Sequence, residues 1–226
     1  MLGLVEYERR GRGRAAVGDL YGLPVLRAAV DPGGMLGERR LRRAGQTIRR
    51  GGVCRVLTPA DFDRWDLLRR SGLAPVDPSP FLRAWSAELA VAALERQGLA
   101  PDRAVVALRA PRADGEMARA AAQLCPRVRH LVICSPRGGE ELARWLRQQF
   151  GLPILPPGEE SQVDLHFRPD GGTGPGVKVE LYGNHPELAG LTLCAPDLAE
   201  GHKTDISVLT ALWEGGKVGK NTLKIT

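Results

Sequence analysis

The sequence predicts an α/β fold: a mostly parallel, doubly wound sheet preceded by a small N-terminal β/helix segment. Three observations predict it. Short apolar runs such as Val53-Cys54-Arg55-Val56-Leu57, Ala104 to Leu108 and His130 to Cys134 are nearly unbroken, as in strands covered on both faces. Turn and helix-start residues follow each run. One unit is also written twice, at 53–76 and at 130–155: strand, Thr/Ser-Pro, helix, Gly-Leu, strand. Thr or Ser suits an N-cap, Pro the first helical position and Gly the left-handed helix end. Parallel strands joined in this way require right-handed crossovers.

The elements follow in order. Leu2 to Tyr7 and Leu23 to Val30 are apolar, strand-like runs, separated by the Gly/Arg-rich segment Arg9 to Gly18. Asp31-Pro32-Gly33-Gly34 is a turn. Met35 to Arg50 predicts a short basic helix with Leu36, Leu41, Ala44 and Ile48 on one face, stopped by Gly51-Gly52. Residues 1–52 therefore read as a basic N-terminal segment and 53–226 as the α/β domain. Within that domain, helices are predicted at 60–70, 80–97, 114–124 and 138–150. The runs 53–57, 73–76, 104–108, 130–134 and 163–167 are expected to be parallel neighbours in one sheet. Further on, 169–176 reads as a glycine-rich hairpin loop and 177–182 as an exposed strand. A strand at 191–194, a helix at 204–213 and an edge strand at 222–225 complete the prediction.

The composition is that of a globular protein, 43% hydrophobic and 26% charged. No run of 18 apolar residues is present, so no membrane-spanning helix is expected. The first residues lack the apolar core of a secretory leader, and the expected location is cytoplasmic. The four cysteines, Cys54, Cys125, Cys134 and Cys194, form no CxxC pair, so neither a disulfide framework nor a zinc site is expected. Residues 1–55 hold 12 Arg against 5 acids, a net of +7 within a total of +6. Arg39, Arg40, Arg42, Arg43, Arg49 and Arg50 would give the basic helix a cationic face. No aromatic residues interleave with them for stacking, so a solvated face is expected there, without a nucleic-acid or membrane partner.

The order Ala104–Leu108, helix 114–124, His130–Cys134, helix 138–150 and Val163-Asp164-Leu165 resembles the NAD(P)-binding Rossmann-like superfamily. That resemblance implies a dinucleotide cradled by a G-x-G-x-x-G turn after the first strand. Here the turn is Arg109-Ala110-Pro111-Arg112-Ala113-Asp114-Gly115-Glu116. Gly115 is its one glycine, Pro111 lacks an N–H, and Asp114 and Glu116 bring negative charge to the helix start. Arg109 and Arg112 are cationic. The second strand ends Cys134-Ser135-Pro136-Arg137, and Ser135 with Arg137 suits a 2′-phosphate, favouring NADP over NAD. The candidate cofactor contacts are thus Arg109, Arg112, Gly115, Ser135 and Arg137, and the cofactor is none or NADP.

His130 and His166 lie in strands and read as structural. His185 and His202 lie in loops, and Lys203 with Asp205 reads as a helix cap. No G-x-S-x-G, H-E-x-x-H or Walker-type motif is present. The leading expectation is a non-catalytic ligand-binding or regulatory module, its ligand a small molecule or nucleotide. An atypical NADP-dependent oxidoreductase is one alternative, and a nucleic-acid-associated protein using the Arg-rich helix is another.

Overall fold

The computed structural model describes all 226 residues. In chain order the elements are β1 (Leu2–Tyr7), β2 (Arg12–Leu20), β3 (Leu23–Val30), α1 (Gly37–Arg50), β4 (Arg55–Leu57), α2 (Trp65–Arg69) and β5 (Ala74–Pro75). Then come α3 (Ser79–Ala84), α4 (Ser86–Arg96), β6 (Val105–Arg109), α5 (Gly115–Leu124), β7 (His130–Cys134), α6 (Gly139–Phe150) and β8 (Ile154–Leu155). The chain ends with β9 (Val163–His166), β10 (Val177–Glu180), β11 (Leu193–Cys194), α7 (Ile206–Glu214) and β12 (Lys224–Ile225). Contacts divide the chain into two units, Met1–Asp77 with Ala195–Thr222, and Pro78–Cys194 with Leu223–Thr226. The division thus falls after Asp77 rather than after residue 52, and a C-terminal stretch returns to the first unit.

The first unit holds a five-stranded sheet in the order β2-β3-β1-β4-β5. Every neighbouring pair is parallel except β2 with β3. The Gly/Arg-rich segment, expected only to separate two strands, itself supplies β2. Its hairpin turn explains why: Tyr21 (φ +52°) and Gly22 (φ +83°) are both left-handed, as the two-residue turn that matches strand twist requires. α1 buries Leu41, Ala44, Gly45 and Ile48, in a cluster with Val5, Ala28, Val30 and Leu68. The returning stretch is anchored to this unit by polar contacts. Tyr21 Oη accepts from Ala199 N–H (3.1 Å) and meets His202 Nδ1 at 2.9 Å, and Arg55 pairs with Glu214 at 2.8 Å. Asp205 caps α7 by accepting from the Ser207 and Val208 N–H groups.

The second unit holds an all-parallel sheet in the order β10-β9-β6-β7-β8. Numbered from its own first strand this is 5-4-1-2-3, the strand order of the Rossmann fold. The five runs expected in one sheet are therefore divided between two. β4 has one edge on β1 and the other on β5, while α3 and α4 separate β5 from β6.

Helices carry the crossovers β6–α5–β7 and β7–α6–β8, but the β8–β9 and β9–β10 connections contain none. α4 touches α5, and α5 touches α6, so these three form one layer. The strands alternate to match. Val106, Leu108, Leu131, Ile133, Val163 and Leu165 are buried on one face. The other face carries small residues, Ala107 and Val132, and then a set of polar ones. Residues 169–176, expected as a hairpin loop, instead belong to a parallel crossover, because β9 and β10 run the same way.

Candidate functional site

Four adjacent strands of the second unit end in a row on the polar face: Cys134, Arg109, His166 and Glu180, each in register with the next. The connection leaving β6 runs to β7 and the one leaving β9 runs the opposite way to β10, and ligands of open α/β sheets sit in the crevice beyond such a point. Two residues back from His166, Asp164 is buried with Arg109. Its Oδ1 stands 3.3 Å from Arg109 Nε, an ionic contact that is not aligned as a hydrogen bond. Asp164 also accepts from Ser161 Oγ (2.6 Å) and Gly176 N–H (3.2 Å). A buried carboxylate needs this set of partners to offset its desolvation.

The glycine-rich run lies directly on this pair. A Cβ at Gly174 would collide with Asp164 Oδ2 and the Arg109 guanidinium, and one at Gly171 would stand 3.2 Å from Arg109 backbone and Cβ atoms. The glycines are there because the chain crosses the pair at backbone contact distance. Beside them, Lys178 pairs with Glu180 at 2.6 Å, and Tyr182 Oη donates to Glu180 (3.0 Å). Burial pushes the His166 pKa below its ordinary value; Asp164 opposes the shift, and Lys178 and Arg109 reinforce it. Burial likewise raises the Cys134 thiol, against the Arg109 charge.

At the start of α5 the positive helix end is already occupied. Asp114 caps it, accepting from the Glu116 and Met117 N–H groups at 3.1 and 3.0 Å. Arg168 lies 3.2 Å from Asp114 and 3.7 Å from Glu116, and Arg83 lies 2.8 Å from Glu116. A pyrophosphate would have to displace a carboxylate from its own N–H donors, and Pro111 offers no replacement. The residues present do not fit a dinucleotide bound at this turn.

The start of α6 is different. Its N-cap is Gly138 (φ +75°), with no side-chain cap. Ser135, which suited an N-cap, instead donates from Oγ to the Arg137 carbonyl at 3.0 Å. Ala113 N–H donates to the Arg137 carbonyl (2.8 Å) and Ala110 N–H to the Cys134 carbonyl (3.2 Å), so the two loops run side by side. Arg112 and Arg137 are bridge partners there, and both are exposed. A cavity of about 590 Å³ lies against Arg112, Asp114, Gly115, Gly138 and Leu142. A second, of about 880 Å³, lies against Cys134, Ser135, Arg144, Leu155 and Gly171.

The structure thus brings Arg112, Gly115, Ser135 and Arg137 to one corner and withdraws Arg109 into its pair with Asp164. Sequence reasoning missed Ser161, Asp164, His166 and Arg168 as site residues. The alternation Val163-Asp164-Leu165-His166 was the available signal, since it sets two ionisable groups on one face of a central strand.

No family model matches the chain, and no curated protein matches it. Among solved structures it is similar to L-tryptophan dehydrogenase from Nostoc punctiforme, at 14% identity and a TM-score of 0.33, over 73% of this chain and 55% of that one. It thus spans about half the length of that enzyme. A shikimate 5-dehydrogenase-like protein is similar at 12% identity and a TM-score of 0.28, over 76% of this chain and 68% of that one. Shikimate dehydrogenase from Aquifex aeolicus is similar at 10% identity and a TM-score of 0.30, over 95% and 83%. The Rossmann-like class of the second unit rests on its own strand pairing.

Proposed function

We propose that the protein is a Rossmann-like ligand-binding or regulatory module without hydride-transfer chemistry, and that its ligand is a phosphorylated nucleotide held where β7 meets α6. The contrast between two helix starts carries this reading. α5 is closed by Asp114 and the Arg168 ion pair, whereas α6 has no side-chain cap and lies beside Arg112 and Arg137. Guanidinium groups bind phosphate oxygens through paired N–H donors, and first-turn N–H groups add to them. Glu140 and Glu141, in the first turn of α6, oppose this attraction and favour a ligand that engages both arginines at once. The glycine run crosses Arg109 and Asp164 at contact distance, and Arg109 is held in its ion pair with Asp164.

Ser135 beside Arg137 also suits a 2′-phosphate, which keeps an atypical NADP-dependent oxidoreductase as the second reading. Calorimetry with NADPH, NADH and adenosine 2′,5′-bisphosphate separates the two. The ligand-binding reading expects the bisphosphate to bind as well as NADPH, NADH to bind far more weakly, and Arg112→Gln with Arg137→Gln to abolish binding. A saturating ligand, at a hundred times its Kd, would stabilise by about 2.7 kcal/mol, a shift of several degrees in Tm. Equal binding of NADH and NADPH, unaffected by the arginine pair, overturns it. NADPH oxidation with any carbonyl or imine substrate would establish the second reading.

A further inference from the structure

The first unit carries a cationic concavity that the nucleotide reading does not use. Arg12 of β2 and Arg39, Arg40 and Arg43 of α1 line it together with Leu36, enclosing about 240 Å³. Arg40 is engaged by Asp31 at 3.1 Å, and the neighbouring Arg42 by Glu38 at 3.4 Å. Arg12, Arg39 and Arg43 have no acidic partner. Arg39 and Arg43 are four residues apart and project from the same side of the helix.

Beside these free charges stand apolar side chains that nothing covers. Met35 is 102% exposed and Leu36 52%, consecutive residues at the start of α1. The lack of stacking aromatics predicts a solvated face; this apolar pair is what departs from it. A nucleic-acid backbone offers no apolar contact to Met35 and Leu36, and residues 9–20 and 31–50 contain no aromatic to stack on a base. A bilayer with anionic headgroups complements both features, taking basic side chains at the phosphates and apolar ones at the acyl boundary.

We infer that this face is a docking surface for an anionic lipid bilayer, with Arg12, Arg39 and Arg43 on headgroup phosphates and Met35 and Leu36 inserted below them. The contact is peripheral: no helix is long and apolar enough to cross a membrane. Its electrostatic part weakens with salt, and its apolar part does not.

Co-sedimentation of the full chain with vesicles of phosphatidylcholine, with and without phosphatidylglycerol, tests it at low and physiological salt. Binding is expected only to the vesicles containing phosphatidylglycerol. Replacing Arg39 and Arg43 by Gln should lower the partition coefficient about 25-fold, at about fivefold per cation. Met35→Ser with Leu36→Ser should reduce it at both salt concentrations. All four positions are exposed, and an unchanged Tm confirms that each variant remains folded. Absence of binding to the anionic vesicles overturns the inference, as does binding that the Met35/Leu36 variant retains in full. Sub-micromolar binding to duplex DNA that competes with the vesicles also overturns it, and would identify a nucleic-acid partner.

Discussion

Arg109 and Asp164 face each other from adjacent parallel strands, 3.3 Å apart from Nε to Oδ1, with glycine backbone pressed on both. Arg109 is therefore spoken for. Its charge neutralises a carboxylate inside the sheet edge instead of attracting a ligand phosphate from outside it. The same pair explains two features of the sequence: an Asp in a strand buried along its whole length, and Gly171 and Gly174 in the following crossover.

Removing one partner should be costly. Asp164→Ala leaves the Arg109 charge buried and uncompensated, and deprives Ser161 Oγ and Gly176 N–H of their acceptor. The expected loss is about 3–5 kcal/mol, or roughly 6–20 °C in Tm for a chain of this size. Arg109→Met combined with Asp164→Leu should lose much less than Asp164→Ala alone, because no unpaired charge remains. Urea melts of the three proteins check this, and equal losses would deny the pairing.

Two glycines should respond in opposite directions. Gly174→Ala places a methyl group against Asp164 and Arg109 and should destabilise by about 1–3 kcal/mol, as overpacking does. At Gly115, the first position of α5, an added methyl carbon would meet nothing within 4 Å. Gly115→Ala should therefore stabilise by about 0.5–1 kcal/mol, and nucleotide binding at the α6 corner should survive. Loss of binding in that variant would show that the ligand does approach α5.

Much of the second unit was legible because local chemistry and tertiary structure agree there. Val105–Arg109, His130–Cys134 and their helices lie within a residue or two of expectation, since apolar runs between turn residues leave little choice. What failed was partnership. Arg55–Leu57 pairs with β5 as expected, but it reads like the later strands, and nothing within it states that its other neighbour is β1. The glycine run misled for a related reason. A turn and a close backbone crossing demand the same residue, and only the Arg109–Asp164 pair beneath it distinguishes them. Arg112, Ser135 and Arg137 were legible as a group because strand ends of a parallel sheet converge on one edge. Asp114 stood in the sequence as a charge unfavourable to phosphate, and its capping bonds give that charge a structural role.

The α5 cap yields a further expectation. Asp114→Ala removes the acceptor for two N–H groups and a partner of Arg168, costing about 1 kcal/mol, or roughly 2–4 °C in Tm. It also uncovers the positive helix end, so inorganic phosphate should raise the Tm of the variant more than that of the parent. Equal responses to phosphate would mean that Asp114 does not shield the helix end.

His166 supplies a dependence on pH whose sign follows from its burial. In the folded protein its pKa lies below the ordinary value, with desolvation the main cause; Asp164 and Glu180 act against the shift, and Lys178 and Arg109 act with it. In the unfolded chain it titrates near its usual value of about 6.5. Well above that value the ring is neutral in both states and contributes no pH dependence. As the pH falls through the unfolded value, the unfolded chain takes up a proton that the folded protein does not. Stability then declines until the folded value is reached, below which the penalty is constant. Stability should therefore rise with pH across this window. His166→Gln cannot take up the proton, so its stability should depend less on pH there, and the difference between parent and variant cancels carboxylates that titrate alike in both. Chemical denaturation of the two proteins at closely spaced pH values measures that difference. A parent that gains stability relative to the variant on acidification would mean that His166 is charged in the fold, paired with Asp164 in place of Arg109.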